Sequence, residues 1–152
     1  MQYNWDVAIR YWMSVMHREH VRRAVALGIT QANHGSRGAL ERMREADGLV
    51  YYSPRAALEG EPLRDFTAIG RIAEGAVFQA GESGSDFRPW RRRADYDVDA
   101  VDASIRPLLA VLDFSRDNPN WGYQLRRGSI EISRHDFEMI RQQMRRPSAD
   151  DR

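Results

Sequence analysis

Arg10-Tyr11-Trp12-Met13-Ser14-Val15-Met16, followed without a break by His17 to Leu27, sets a strand directly before a helix. In the first segment Tyr11, Met13 and Val15 fall on one face and Trp12, Ser14 and Met16 on the other. In the second, Val21, Ala24 and Val25 recur at helical spacing, and Gly28 supplies the stop. A parallel α/β protein would now repeat that unit. This chain instead gives a loop from Gln31 to Ser36 and a short helix capped by Ser36 that carries Leu40 and Met43. After the Asp47-Gly48 turn comes a strand from Leu49 to Ser53, apolar on both faces, which Pro54 is expected to end.

Beyond it strands dominate. Phe66–Ile72, interrupted by Gly70, and Ala76–Gln79 read as strands; Gly81–Ser85 reads as a flexible link and Phe87–Tyr96 as an edge or irregular strand containing Pro89. Pro107 opens a short helix with Leu108, Leu109 and Leu112. Trp121–Leu125 and Ser129–Ile132 read as two strands around the turn Arg126-Arg127-Gly128. Ser133 and Asp136 form a capping pair for a last helix with Phe137, Ile140 and Met144 on its apolar face, stopped by Pro147. This order predicts an α+β fold with a mixed or antiparallel barrel flanked by helices. The expected organisation is a single domain over 1–147 with a frayed tail at 148–152.

Composition narrows the function classes. The 152 residues contain no cysteine, so disulfide scaffolds, thiolate zinc sites and cysteine nucleophiles are excluded. All 23 basic residues are arginine, which excludes Schiff-base and phosphate-loop lysines. A net charge of +1 is not that of a protein coated in nucleic acid. The charge is unevenly placed, however. Four arginines interleave with two aromatics in Phe87-Arg88-Pro89-Trp90-Arg91-Arg92-Arg93, and the acidic stretch Asp95–Asp102 follows at once. No secretory leader or membrane-spanning run is read, and a cytoplasmic location is expected.

Catalytic motifs are thin. His17 and His20, three apart on a helix, with His34 as a conceivable third ligand, are read as structural or surface histidines, and no metal or cofactor is expected. The scattered aspartates read as a solvated loop, and Ser36 and Ser53 lack a nucleophile elbow. The four Trp, six Tyr and five Phe are more suggestive, because several adjoin polar groups. Most aromatics belong to cores. Yet a pocket for a flat heteroaromatic ring needs this mixture: rings to stack on, polar groups for the base edge and arginine for phosphate.

Tyr11-Trp12, His20-Val21, Gln31-x-Asn33-His34-Gly35 and Asp47 with Val50–Pro54 together resemble the first half of an EVE domain. Phe66–Arg71, Phe87–Arg92, Ile105–Leu109, Trp121–Gly128, Glu131–Ser133 and Asp136-Phe137 continue the resemblance over roughly residues 10–144. It implies a PUA-like fold, a strongly curved mixed barrel with flanking helices, related to the YTH and ASCH domains. It also implies binding of modified DNA or RNA through a flipped base such as methylated cytosine or adenine. With it, Trp12, Tyr52, Trp90 and Trp121 become candidate pocket rings, and Asn33, His34 and Ser53 candidate edge or sugar contacts. Arg37, Arg91 and Arg126 become candidate phosphate contacts. Ser36 stands where relatives often carry lysine, so Arg37 is the substitute cation.

The expectation is therefore a non-catalytic reader of a modified nucleobase. The first rival is a protein or enzyme acting on a free nucleotide-like metabolite. The second is a partner-binding module whose aromatics are simply core. A ligand site of ~300 Å3 or more separates the first two from the last.

Overall fold

The computed structural model describes residues 8–32, 35–81 and 88–145. Its strands are β1 (Tyr11–Val15), β2 (Ile29–Thr30), β3 (Gly48–Arg55), β4 (Pro62–Ile72), β5 (Phe78–Gln79), β6 (Trp90–Tyr96), β7 (Ala103–Ser104) and β8 (Ser129–Ile132). Its α-helices are α1 (Arg18–Leu27), α2 (Arg37–Glu41), α3 (Trp121–Gln124) and α4 (Arg134–Gln143), with 3-10 turns at Arg106–Leu108 and Leu125–Arg127. The strands run in the order β2-β6-β4-β3-β1-β8, with β5 added to β6 and β7 to β4. Among these pairs only β1 and β3 are parallel, so the sheet is mixed, as the strand-rich order predicts. It curls into a half-barrel flanked by the helices, an α+β fold.

The two-sided apolarity of β1 and β3 has a direct cause: each face of the sheet carries its own core. Met13, Val50 and Tyr52 join Phe66, Phe137 and Ile140 on one side. Trp12, Leu49 and Tyr51 join Val21, Leu40 and Ile72 on the other. Helix α4 covers the first core, and α1 and α2 cover the second. Each fully buried large side chain contributes ~1.5–3 kcal/mol by leaving water, which offsets the entropy of ordering the strands.

Local signals explain the helix ends. Gly28 takes φ 66° and its amide reaches back to Val25 O, closing α1. Ser133 Oγ accepts from the amide of Asp136 at 3.1 Å, as the capping pattern predicts. The Asp136 carboxylate does not reciprocate. It is fully buried and accepts from the amides of Asp113 at 2.6 Å and Phe114 at 3.1 Å, tying the preceding loop to α4.

Three expectations are corrected, and one short strand was not read. Trp121–Leu125 is helical, because Asn118 turns the chain beforehand and Asn118 Oδ1 accepts from the Asn120 amide at 3.0 Å. The two-residue β2 is too short to leave a pattern, and forms because β6 lies beside it. Pro54 does not end β3, which runs on to Arg55, since the pairing there is irregular and needs no donor from it. Gly70 does not break β4: a Cβ there would lie 2.2 Å from Asp95 O, so glycine is what lets β6 pass.

The β3–β4 ladder shifts register twice, between Tyr51 and Tyr52 and between Ser53 and Arg55. Each shift places an extra residue on β4. Arg64 lies within the second with φ 59°, the left-handed region that costs a non-glycine residue ~1–2 kcal/mol.

Candidate functional site

Helix α1 presents His20, Arg23, Ala24 and Leu27, an i, i+3, i+4, i+7 stripe, toward β2 and β6. Between them lies a cavity of about 250 Å3, below the ~300 Å3 at which volume alone would separate a ligand site from a partner-binding module, floored by Met16, Ala24, Leu27 and Ile29 and edged by His20, Arg23, Gln31 and Arg91. The pairing Ile29↔Arg93 and Thr30↔Arg92, continued one step, puts Gln31 opposite Arg91. Arg91 Nε donates to Gln31 Oε1 at 2.6 Å. That bond fixes the Gln31 amide by its oxygen and leaves the amide's N–H2 as a directed donor.

The backbone behind Gln31 is held as firmly. Tyr51, fully buried, donates from its hydroxyl to Gln31 O at 3.1 Å and shares a short hydrogen bond with Thr30 Oγ1. Tyr96 donates to Ile29 O at 2.7 Å. Burial pushes both phenols above their ordinary value, so both stay protonated as donors.

His20 has its pKa lowered from 6.5, first by burial and then by His17, Arg23 and Arg91. It is neutral near pH 7, able to donate from one ring nitrogen and accept at the other. The cavity thus combines an aliphatic floor, a neutral imidazole, an anchored amide and two guanidinium groups. Such a site suits a flat, polar-edged ring with an anionic attachment.

The residues expected to form one pocket are divided by the sheet. Trp12 is a core residue, 3% exposed, whose indole N–H donates to Asp47 Oδ2 at 2.9 Å. Ser53 is fully buried, donating to Met16 O at 2.6 Å with Thr67 Oγ1 at 2.7 Å. Neither reaches the cavity. Trp90 is half-buried against the α1-side core, with the Arg37 guanidinium 4.6 Å from its ring centroid; Arg37 also pairs with Glu41. Tyr52 and Trp121 meet edge-on at 6.3 Å on the opposite face of the sheet, beside Arg126. Only Arg91 of the proposed set lines the cavity, and Asn33 and His34 lie outside the described residues.

His20, Arg23 and Gln31 were not read as site residues. The stripe on α1 was legible, but nothing in the sequence said which helix face would be left open. Asp113, His135 and Asp136 place ligand atoms within 4.8 Å of one another, a grouping that could hold a metal ion. Their geometry already has a structural use: both Asp136 oxygens accept backbone amides and Asp113 Oδ2 accepts from Ser133 Oγ at 2.6 Å. That hydroxyl, more than any other influence, lowers the Asp113 pKa.

The curled mixed sheet with its flanking helices is a PUA-like α+β fold. The sequence pattern of the EVE domain matches residues 10–143, and the chain belongs to that family. A UPF0310 protein of Renibacterium salmoninarum is 47% identical over 133 residues, covering 87% of this chain and 93% of that one. One from Mycolicibacterium vanbaalenii is 45% identical, covering 91% and 94%. Among solved structures, protein Atu2648 of Agrobacterium tumefaciens shares the fold with TM-score 0.54 and 15% identity, covering 91% of this chain and 99% of that one. Rpa0253 of Rhodopseudomonas palustris does so at 0.55 and 16%, covering 90% and 93%.

Proposed function

We propose that this protein is a non-catalytic nucleic-acid-binding module that recognises a modified nucleobase, with the α1–β6 cavity as its base pocket. The observation that carries the reading is the convergence of His20, anchored Gln31 and Arg91 on a small apolar-floored cavity. One extruded base would lie on Met16 and Ile29, with its edge against Gln31 and His20 and its phosphate toward Arg91 and Arg23. Membership in the EVE family supports it, through the modified-base recognition that the resemblance implies. Among the described residues no helix is long and apolar enough to cross a membrane.

An added methyl is worth only ~0.8 kcal/mol by burial, so discrimination must come from fit plus edge hydrogen bonds. The test is a titration at two salt concentrations with short DNA and RNA oligonucleotides, plain or methylated on cytosine or adenine. Tighter binding of one modified oligonucleotide is expected, with Arg91→Ala flattening the salt slope by ~0.7–0.9. Gln31→Ala is expected to erase the preference. Equal affinity for plain and modified strands would refute the reading. The cavity's one-ring size also favours a second reading, a protein for free nucleosides, which would bind them without salt dependence.

A further inference from the structure

On its helix side the α1 cavity is bounded by His20, one turn after a second histidine that caps the helix. His17 precedes α1 with extended backbone, φ −63° and ψ 150°, and its Nδ1 accepts from the His20 amide at 3.3 Å. The same amide reaches His17 O at 3.1 Å, and the Val21 amide reaches it at 3.2 Å. An imidazole nitrogen accepts only while it carries no proton, so this cap exists only on the neutral ring. The usual capping residues, serine, threonine, aspartate and asparagine, accept throughout the neutral range. The His17 and His20 rings lie 5.5 Å apart, centroid to centroid.

The charges around these rings are mostly cationic. On α1 itself Arg23 pairs with Glu19 at 3.1 Å, while Arg18 and Arg22 turn to Asp102, at 3.3 Å and 2.8 Å, with Asp65 of β4 beside that cluster. From β6, Arg91 edges the same cavity as His20. Burial, then His17, Arg23 and Arg91, lower the His20 pKa against the opposing pull of Glu19. A charged imidazole at His17 or His20 also stands at the positive end of the helix dipole.

We propose that His17 and His20 form a proton-operated latch on the cavity: neutral, they hold the first turn of α1 in place, and protonated, they loosen that turn and release the bound base. The latch rests on the reading of the cavity as a base pocket. One proton takes the lone pair of His17 Nδ1 and removes the cap. The other takes the acceptor nitrogen that neutral His20 keeps for a base edge, and leaves two cations one helical turn apart.

The test follows amide exchange of the full chain by nuclear magnetic resonance at about pH 7.5 and about pH 5, in the wild type and in His17→Asn, whose side-chain oxygen caps without titrating. Across this window the protection factors of the His20 and Val21 amides are expected to fall about fivefold further in the wild type than in His17→Asn. His17→Ala has no cap and is expected to show the lowered protection already at the higher pH. In parallel, hexanucleotides carrying methylated cytosine or methylated adenine are titrated at high salt, where surface charges are screened. Wild-type affinity for the tighter-binding of the two is expected to fall about tenfold at the acid end, and that of His17→Asn by less. The latch is refuted if wild type and His17→Asn lose protection alike, if His17→Ala matches the wild type at the higher pH, or if affinity holds while protection falls. Protection lost as expected, with no oligonucleotide bound at either pH, upholds the latch on the helix and refutes the base-pocket reading alone.

Discussion

Replacing Asp47 by alanine decides whether Trp12 is a structural tie or a stacking surface. Asp47 is 2% exposed and its carboxylate accepts three hydrogen bonds. Trp12 Nε1 donates at 2.9 Å, the Arg10 amide at 3.1 Å and the Arg44 amide at 2.9 Å. Asp47→Ala orphans all three donors at once. The indole N–H is buried and bears the full desolvation penalty of ~1–3 kcal/mol, while the two part-buried amides can recover some bonding from water. The expected loss is about 3–5 kcal/mol, a large part of the ~5–15 kcal/mol a domain commands. In urea denaturation followed by circular dichroism, with a slope of ~2 kcal/mol per molar, the midpoint falls by about 1.5–2.5 M. Trp12→Phe removes one of the three donors and is expected to cost less. The double variant should couple to Asp47→Ala by roughly 1 kcal/mol. A negligible midpoint shift for Asp47→Ala would refute the reasoning. So would a Trp12→Phe variant of unchanged stability that no longer binds an oligonucleotide.

Other expectations follow from named contacts. Gly70→Ala drives a Cβ into Asp95 O and should destabilise by at least the ~1–3 kcal/mol typical of overpacking, seen as a lower melting temperature; an unchanged one would mean the β4–β6 crossing is looser than described. Tyr51→Phe deletes the donor that holds Gln31 O, so it should cost ~1–2 kcal/mol in stability and also weaken ligand binding at the cavity. His20 titrates below its ordinary 6.5, so the unfolded chain binds its proton first as pH falls. Its contribution is therefore present above that value and lost as pH falls through the folded pKa. Between about pH 7.5 and about pH 5, the urea midpoint of the wild type should drop further than that of His20→Gln, and parallel profiles would contradict the assignment.

Much of this fold was legible because it depends on local chemistry. Leu49–Ser53, apolar on both faces, was legible as a buried strand, and the structure gives each face of the sheet its own core. Gly28 and Ser133 fixed helix ends through φ and a side-chain oxygen, effects that need no distant partner. Trp121–Leu125 was misread because five residues of mixed polarity carry no period, and a turn at Asn118 decides their conformation. The family, too, was visible in short motifs spread along the chain in order.

Sequence by itself settled the α+β class, the strand-rich order and an all-arginine cationic surface, since each follows from residue type and near-neighbour spacing. The tertiary structure alone decided which aromatic is core and which faces a groove. Trp12 and Trp121 are the same residue in the same kind of polar context. One is drawn inward because Asp47, 35 residues away, accepts its N–H. The other stays half-exposed because Tyr52 and Phe114 hold only its edge-on contacts. Likewise, Gln31 becomes a site residue only when β6 brings Arg91 beside it, 60 residues along the chain. Such pairings depend on strand register across the sheet, and a one-residue slip would send every side chain to the other face.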